Sequence, residues 1–124
     1  MMTTQTPSVE IETNAPIPTW FGVGGRADRL ARPETIEQLI ECVRLDPDLR
    51  VLGDGANLLV DDAGVRELVV DLSRGVFKDV AIHDETGFVI AGAGARLPQL
   101  ITECVRRGLG GLEALAGIPA SVGG

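Results

Sequence analysis

The stretch that decides the fold is Leu52-Gly53-Asp54-Gly55-Ala56-Asn57-Leu58-Leu59-Val60, which follows a short predicted strand at residues 50–53. Gly53 and Gly55 remove Cβ atoms at alternate positions, so backbone N–H groups of the turn can converge on an anion. Asn57 tolerates left-handed backbone angles and offers a side-chain amide. The spacing is therefore consistent with a plain structural turn or with a cradle for a phosphate group.

Two better-known phosphate motifs do not fit this turn. A P-loop requires Gly-Lys-Ser or Gly-Lys-Thr, and neither triplet occurs in the chain. The dinucleotide fingerprint requires a third glycine, but Leu58 stands there, and the second candidate, Gly92-Ala93-Gly94, has Leu97 in that place. We expect the apolar residues 58–60 to anchor the turn in the core.

The last ten residues, Leu115-Ala116-Gly117-Ile118-Pro119-Ala120-Ser121-Val122-Gly123-Gly124, form a second glycine-rich stretch. Its glycines predict a loop whose backbone approaches a neighbour closely. Together the two stretches suggest a phosphate-bearing cofactor held by the backbone, in a protein whose other half lies outside this chain.

Length and composition limit the class of protein. The chain has 124 residues, which suits one domain, and 44% of them are hydrophobic, which favours a globular fold. The formal net charge of -7 argues against nucleic acid as a partner. No apolar run reaches the roughly 20 residues that span a bilayer. The polar start lacks the features of a signal peptide, so we expect a cytoplasmic protein.

Few residues could bind a metal or form a disulfide. Cys42 and Cys104 lie in separate helical patterns, which favours buried thiols, with a disulfide as the alternative. His83 is the only histidine, and one histidine without neighbouring ligands does not predict a metal site.

Hydrophobic periodicity predicts the elements of a first unit. Residues 1–15 are expected to be a flexible, polar lead-in, and residues 27–31 a strand. Pro33 is expected to open a helix that ends at Asp46-Pro47 and buries one face, formed by Ile36, Leu39, Ile40 and Val43. Residues 68–70 form a further predicted strand, so that residues 16–74 make a small parallel or mixed α/β unit.

A hairpin and a helix are predicted for the second unit, residues 75–124. Residues 76–83 and 87–91 flank Asp84-Glu85-Thr86-Gly87, a spacing typical of a β-hairpin. A helix begins near Leu97 and ends with Gly108 as its C-terminal cap. Its predicted core face consists of Leu97, Leu100, Ile101 and Cys104.

Four segments, residues 19–25, 52–60, 91–95 and 108–124, occur in the same order and at similar spacing in the UDP-N-acetylenolpyruvoylglucosamine reductase (UDP-N-acetylmuramate dehydrogenase) family. Over residues 13–124 the chain resembles the N-terminal, FAD-binding part of these flavoenzymes. The resemblance implies an FAD-binding domain of the vanillyl-alcohol-oxidase type, with two small α/β subdomains and FAD between them. The second subdomain is expected to be incomplete and the substrate-binding domain to be absent from this chain.

The resemblance also implies which residues hold FAD noncovalently. The pyrophosphate loop would consist of Gly53, Asp54, Gly55, Ala56, Asn57 and Leu58. The loop that approaches the flavin would consist of Gly117, Ile118, Pro119, Ala120, Ser121, Gly123 and Gly124. This chain departs from the family pattern at Ala56, where the family usually has Ser, and at Ala120, where it usually has Gly.

By the same resemblance, the complete enzyme reduces UDP-N-acetylglucosamine enolpyruvate to UDP-N-acetylmuramate with NADPH, a step of peptidoglycan synthesis that serves cell-wall biogenesis, cell shape and cell division. The Tyr-Arg pair, the proton-donating Ser and the late Glu of the family lie beyond the terminal Gly-Gly. We therefore assign no catalytic residue here and expect the isolated chain to be inactive.

Alternative interpretations remain open at this point. An FAD-dependent sugar or lactone oxidase of the same fold is one, and a non-catalytic truncated module that self-associates is another. Trp20 and Phe21 could stack on a ring system but are expected to close a core. Glu113 is expected to be a surface carboxylate, and Asp61-Asp62 a solvated turn.

Overall fold

The computed structural model describes residues 8–124, which form six strands, two α-helices and two short 3-10 helices. In chain order the elements are β1 (Ile11–Ala15), β2 (Ala27–Ala31), α1 (Ile36–Leu45), β3 (Arg50–Leu52), β4 (Val69–Asp71), the 3-10 helix Gly75–Lys78, β5 (Val80–His83), β6 (Phe88–Ala91), α2 (Leu97–Arg106) and the 3-10 helix Glu113–Leu115.

The strands form a four-stranded mixed sheet and a separate hairpin. The sheet order is β1-β2-β4-β3, in which β2, β4 and β3 run parallel and β1 is antiparallel to β2. The hairpin pairs β5 with β6, from Val80 opposite Ala91 to His83 opposite Phe88. This arrangement confirms the predicted α/β (α+β) fold class, in which helices and a mixed sheet are combined.

The expectation of a loose lead-in is wrong for residues 11–15. These residues form β1, which pairs with β2 from Ile11 opposite Ala31 to Ala15 opposite Ala27. Ahead of it the Val9 N–H donates to Glu41 Oε2 at 3.1 Å. An edge strand is held by backbone hydrogen bonds, so its exposed polar side chains do not prevent pairing. The remainder of the expected lead-in, residues 1–7, lies outside the described residues.

Helix α1 begins later than the sequence predicts. Thr35 is the N-cap, and its hydroxyl accepts from the Gln38 N–H at 3.1 Å, whereas Pro33 lies ahead of the helix. The predicted core face is wrong for three of its four residues, because Ile36, Ile40 and Val43 are exposed. The fourth, Leu39, packs on the core as predicted, and beside it the fully buried Cys42, which was not predicted for this face, belongs to the same cluster. The apolar face of α1 is therefore wider than the part of it that packs against other described residues.

The buried apolar residues form two clusters. One consists of Val9, Ala31, Cys42, Leu68, Val70, Leu72 and Phe77, and the other of Ala15, Ala27, Leu30, Leu52 and Val69. Phe77 follows residue 74 and nevertheless packs in the first cluster, so the sheet and the segment after it share a core. The division into subdomains at residue 74 stays a prediction.

The second unit agrees with its predicted elements, with one correction. The segment expected to begin β5, residues 76–78, belongs to the 3-10 helix Gly75–Lys78. Helix α2 buries Leu100, Ile101 and Cys104, and Leu97 is half-buried. At its end the Gly108 N–H donates to the Val105 carbonyl and the Leu109 N–H to the Cys104 carbonyl, a pair that confirms the glycine cap.

The Asp46 carboxylate at the end of α1 joins three parts of the first unit. It accepts from the Leu68 N–H at 2.9 Å and from the Asp48 N–H at 2.9 Å, and it pairs with Arg29 at 3.2 Å. The backbone hydrogen bonds from Leu68 and Asp48 lower the pKa of Asp46, and Arg29 adds to the effect. The charged carboxylate is therefore the form that the fold stabilises.

We expect Asp46→Asn to lower Tm at neutral pH by several degrees and to flatten the acid dependence of stability. Because the pKa of Asp46 is lowered in the fold, its contribution is present above the unfolded pKa of about 3.9 and is lost as the pH falls through the folded pKa. Urea unfolding at a series of pH values below neutral measures both effects. The exposed Asp28→Asn is the matched control, and an equal acid dependence in all three proteins would contradict the prediction.

Candidate functional site

The glycine turn after β3 is shaped by its packing on residues 18–20. Gly55 has φ +74°, and a Cβ there would lie 2.5 Å from the Pro18 carbonyl oxygen. The Trp20 N–H donates to the Gly55 carbonyl at 2.9 Å. Gly53 plays a different part, because a Cβ on it would face Ser121 Oγ at 3.2 Å and Gly124 Cα at 3.7 Å. The turn thus touches the terminal loop through Gly53.

Two expectations about apolar residues near the turn are wrong. Leu58 and Leu59 do not anchor it in the core, since they are 40% and 71% exposed. Trp20 and Phe21 do not close a core either, since they are 59% and 56% exposed. The backbone hydrogen bond between Trp20 and Gly55 holds the two loops together in place of side-chain packing.

The terminal loop is held by residues 93–97, just ahead of α2. The Val122 N–H donates to the Ala95 carbonyl at 2.9 Å, and the Gly123 N–H to the Ala93 carbonyl at 2.9 Å. The Ala120 carbonyl in turn accepts from the Leu97 N–H at 3.0 Å. Ala120 is not among the residues with positive φ, so its Cβ costs no backbone strain there.

These two loops face each other across a narrow groove of about 180 Å³, which we call the glycine groove. Ten of the predicted cofactor residues line it: Gly53, Asp54, Gly55, Ala56, Asn57, Leu58, Pro119, Ala120, Ser121 and Gly124. The structure thus brings the two predicted segments together. Gly117, with φ +86°, and the exposed Ile118 do not line this groove.

A larger cleft of about 550 Å³, the interloop cleft, adjoins the groove and shares Gly53, Asp54, Ser121 and Gly124 with it. Gly123 lines the cleft but not the groove. Its other walls include Leu72, Ser73, Lys78, Ala93, Gly94, Ala95, Arg96 and Gln99. The sequence did not predict that Lys78, Arg96 or Gln99 would lie near the site. The one local signal for this cleft was the Gly92-Ala93-Gly94 stretch between a strand and a helix.

The groove offers hydrogen-bond donors without protein acceptors. Within residues 8–124, the backbone N–H groups of residues 54–57 donate to no other residue. Ser121 is only 8% exposed, and its hydroxyl, which solvent still reaches, has no hydrogen-bond partner in the same part of the chain. Unused N–H groups beside small side chains suit a phosphate group, so the residues present fit a dinucleotide.

Other candidate groups carry no chemistry in the described residues. Glu113 is exposed, and hydrogen bonds from its own N–H and from that of Gly111 lower its pKa, which is the wrong direction for a general base. Cys42 and Cys104 are buried free thiols, as predicted. No group of three or more His, Cys, Asp and Glu residues between 8 and 124 could hold a metal ion. No helix in this range is long and apolar enough to cross a membrane.

Comparison with known proteins agrees with the cofactor chemistry of the groove. Residues 27–124 match the FAD binding domain family. The chain is 43% identical over 122 residues to UDP-N-acetylenolpyruvoylglucosamine reductase of Moorella thermoacetica, covering 94% of this chain and 39% of that protein. It is 49% identical over 106 residues to the reductase of the same name from Thermus thermophilus, covering 86% of this chain and 37% of that protein.

A solved structure has a similar fold. The crystal structure of UDP-N-acetylenolpyruvylglucosamine reductase from Thermus caldophilus matches with a TM-score of 0.70 and 42% identity, over 94% of this chain and 40% of that one. The chain therefore spans about two-fifths of the length of the relatives that it matches. It belongs to the FAD binding domain family and corresponds to the FAD-binding part of UDP-N-acetylenolpyruvoylglucosamine reductases.

Proposed function

We propose that this chain is the FAD-binding portion of an NADPH-dependent reductase that converts UDP-N-acetylglucosamine enolpyruvate to UDP-N-acetylmuramate. The observation that carries the proposal is the glycine groove, in which unused N–H groups of residues 54–57 face the terminal loop. The similarity to reductases of that name supports the substrate class, a nucleotide sugar. None of these relatives is named as a sugar or lactone oxidase, so the oxidase alternative is not favoured.

Thirteen residues would hold the cofactor noncovalently. In the proposed arrangement Gly53, Asp54, Gly55, Ala56, Asn57 and Leu58 meet the pyrophosphate, and Gly117, Ile118, Pro119, Ala120, Ser121, Gly123 and Gly124 approach the flavin end. Bound FAD would supply hydride transfer, which backbone and side chains cannot perform. The residues of this chain bind and orient the cofactor. The residues that bind the nucleotide sugar and donate a proton to it would belong to the rest of the enzyme.

The test of this proposal is a titration of the purified 124-residue chain with FAD, in which the quenching of flavin fluorescence measures binding. Saturable binding without NADPH oxidation supports it, and the absence of any bound flavin at high FAD would contradict it. We also propose a cytoplasmic location, since that is where the nucleotide-sugar substrate of such a reductase would be made.

The Ala56 position offers a gain-of-affinity prediction. A serine hydroxyl at this place in the turn could donate to a phosphate oxygen, and hydrogen bonds to charged groups contribute about 1.5–3 kcal/mol. We therefore expect Ala56→Ser to strengthen FAD binding by about tenfold or more. The titration described above measures the change.

Two controls separate this effect from a general change in the loop. Ala56→Val adds bulk without a donor and is expected to weaken binding. Ala63→Ser, on an exposed turn outside the groove, is expected to leave it unchanged. If Ala56→Ser and the parent chain bound FAD with equal affinity, the phosphate would not lie at this end of the turn.

Self-association of the isolated chain is a further proposal. Leu115, Ile118 and Val122 are 39%, 43% and 38% exposed around the terminal loop, and exposed apolar patches favour association. We expect a second copy of the chain to cover them. Light scattering should then show an apparent mass that rises with protein concentration. Replacing all three residues with Ser should keep the chain monomeric, and a strictly monomeric parent chain would argue against the proposal.

A further inference from the structure

A carboxylate is buried at the edge of the sheet where the glycine turn begins. Asp71, the last residue of β4, is 7% exposed and stands opposite Leu52, which directly precedes the turn. Its Oδ2 atom lies 3.4 Å from Arg32 Nε, and its Oδ1 atom accepts from the Ser73 N–H at 2.9 Å. A buried carboxylate is costly unless it is paired and hydrogen-bonded. These two contacts therefore fix the position of Asp71.

Arg32 connects Asp71 to the two strands on its other side. It directly follows β2, and its Nη1 atom donates to Glu12 Oε2 on β1 at 3.0 Å. The side chain of Glu12 is 50% exposed, whereas that of Asp71 is 10% exposed. Solvent therefore screens the pair with Glu12 more strongly, and the pair with Asp71 is the one that holds Arg32 in place.

The segment that follows Asp71, residues 72–79, packs on Gly92 and Gly94. The Gly94 N–H donates to the Phe77 carbonyl at 2.8 Å. A Cβ on Gly92 would lie 2.5 Å from the Phe77 carbonyl carbon, and one on Gly94 would lie 2.7 Å from the Leu72 carbonyl carbon. These contacts join two stretches of backbone, so neither stretch can shift without moving the other.

The same glycines flank the residues that hold the terminal loop. The carbonyls of residues 93 and 95 accept from two N–H groups of that loop, each at 2.9 Å. A continuous series of short contacts thus runs from Asp71 to one wall of the glycine groove. On its other side, Asp71 pairs with Leu52, the residue before the opposite wall. The position of Asp71 therefore affects both walls.

We propose that Asp71 and Arg32 are positioning residues for the cofactor, which set the separation between the glycine turn and the terminal loop. The proposal rests on the proposed FAD function. Neither residue lines the glycine groove or the interloop cleft, so both act through the backbone and not by contact with the dinucleotide. The location supports this role, because open α/β sheets bind ligands outside the carboxyl ends of their strands.

The first measurement is the FAD titration of the 124-residue chain. We expect Asp71→Ala to weaken binding about tenfold, the effect of one misplaced hydrogen bond to a charged group. Asp71→Asn keeps an acceptor for the Ser73 N–H, so its loss should be smaller, about threefold. Arg32→Gln should also cost about threefold, and adding it to Asp71→Ala should cost nothing further, because the pair acts as one unit. Should Asp71→Ala fail to fold, Asp71→Asn and Arg32→Gln carry the test.

Asp46 provides the matched control, because its contacts resemble those of Asp71. Its carboxylate also accepts from a backbone N–H at 2.9 Å and pairs with an arginine at 3.2 Å. That N–H belongs to Leu68, directly ahead of β4, so Asp46 lies at the other end of this strand from Asp71. Asp46→Asn and Asp71→Asn should both lower Tm, but Asp46→Asn should bind FAD as the parent does. Equal losses of affinity would make the role of Asp71 purely structural and overturn the proposal.

A measurement without cofactor separates this proposal from the FAD function. The amide chemical shifts of residues 54–57 and 121–124 report the positions of the two walls in the free chain. We expect Asp71→Asn to change both sets and Asp46→Asn to change neither. Unchanged shifts in Asp71→Asn, with FAD binding intact in the parent, would overturn the positioning role and leave the cofactor function standing. Changed shifts in a chain that binds no FAD would support the positioning role and contradict the cofactor function.

Discussion

Gly94→Ala is expected to lower the free energy of unfolding by about 3 kcal/mol, the upper end of the usual cost of overpacking. A Cβ on Gly94 would overlap the Leu72 carbonyl oxygen and would lie 2.7 Å from the Leu72 carbonyl carbon and 3.1 Å from the Phe77 carbonyl oxygen. All of these are backbone atoms, which cannot move aside as a side chain can. Urea unfolding followed by circular dichroism measures the loss.

The close contact between Gly94 and the backbone of residues 72 and 77 also joins the two units of the fold. Its N–H donates to the Phe77 carbonyl at 2.8 Å, and the next residues hold the terminal loop. We therefore expect Gly94→Ala to weaken FAD binding as well, because the interloop cleft would lose one wall. Gly110→Ala is the matched control, since a Cβ there would meet only the flexible Glu113 side chain, at 3.0 Å. Equal stability of the two variants would show that the contact at Gly94 is not tight.

The sequence predicted the order of elements well, because that order depends on local signals. Strand β2, the glycine cap of α2 and the hairpin turn each follow from a few adjacent residues. The start of α1 was placed too early because Pro33 and Thr35 both suit a helix start, and only the hydrogen bond from Gln38 distinguishes them. Strand β1 was missed because its pairing with β2 is a long-range contact that its polar residues do not signal.

Burial was less predictable than secondary structure. The pattern of Ile36, Ile40 and Val43 identifies an apolar face but not what lies against it, and these residues are exposed among the described ones. The same holds for Leu59 and Trp20, which lie beside the groove. The contact partners of an apolar side chain depend on the tertiary arrangement, so a single sequence does not determine them.

The residues of the candidate site also differ in how far the sequence could identify them. The glycine turn and the terminal loop could be identified from their composition and from the resemblance, and the structure brings them to one groove. Lys78 and Arg96 carried no local signal, because a lone exposed cation is most often solvated. Only the fold places them on the same cleft as Ser121.

Gly53→Val is expected to weaken FAD binding about 100-fold, the loss that follows when one or two hydrogen bonds to a charged group fail to form. Gly53 is not among the residues with positive φ, so the backbone accepts a valine there without strain. Its new side chain would point at Ser121 Oγ and Gly124, the atoms that lie across the glycine groove. The isopropyl group would then occupy the space that the phosphate needs beside the N–H groups of residues 54–57.

Measurements of stability and of binding separate this steric effect from a loss of fold. We expect Gly53→Val to remain folded, with its free energy of unfolding lowered by about 1–2 kcal/mol, because Ser121 Oγ would lie 3.2 Å from the new Cβ and must shift. Gly110→Val, at an exposed position outside the groove, should bind FAD as the parent does. Parent-like FAD affinity in a folded Gly53→Val protein would place the cofactor elsewhere, since no dinucleotide could share a groove of about 180 Å³ with that side chain and keep its contacts.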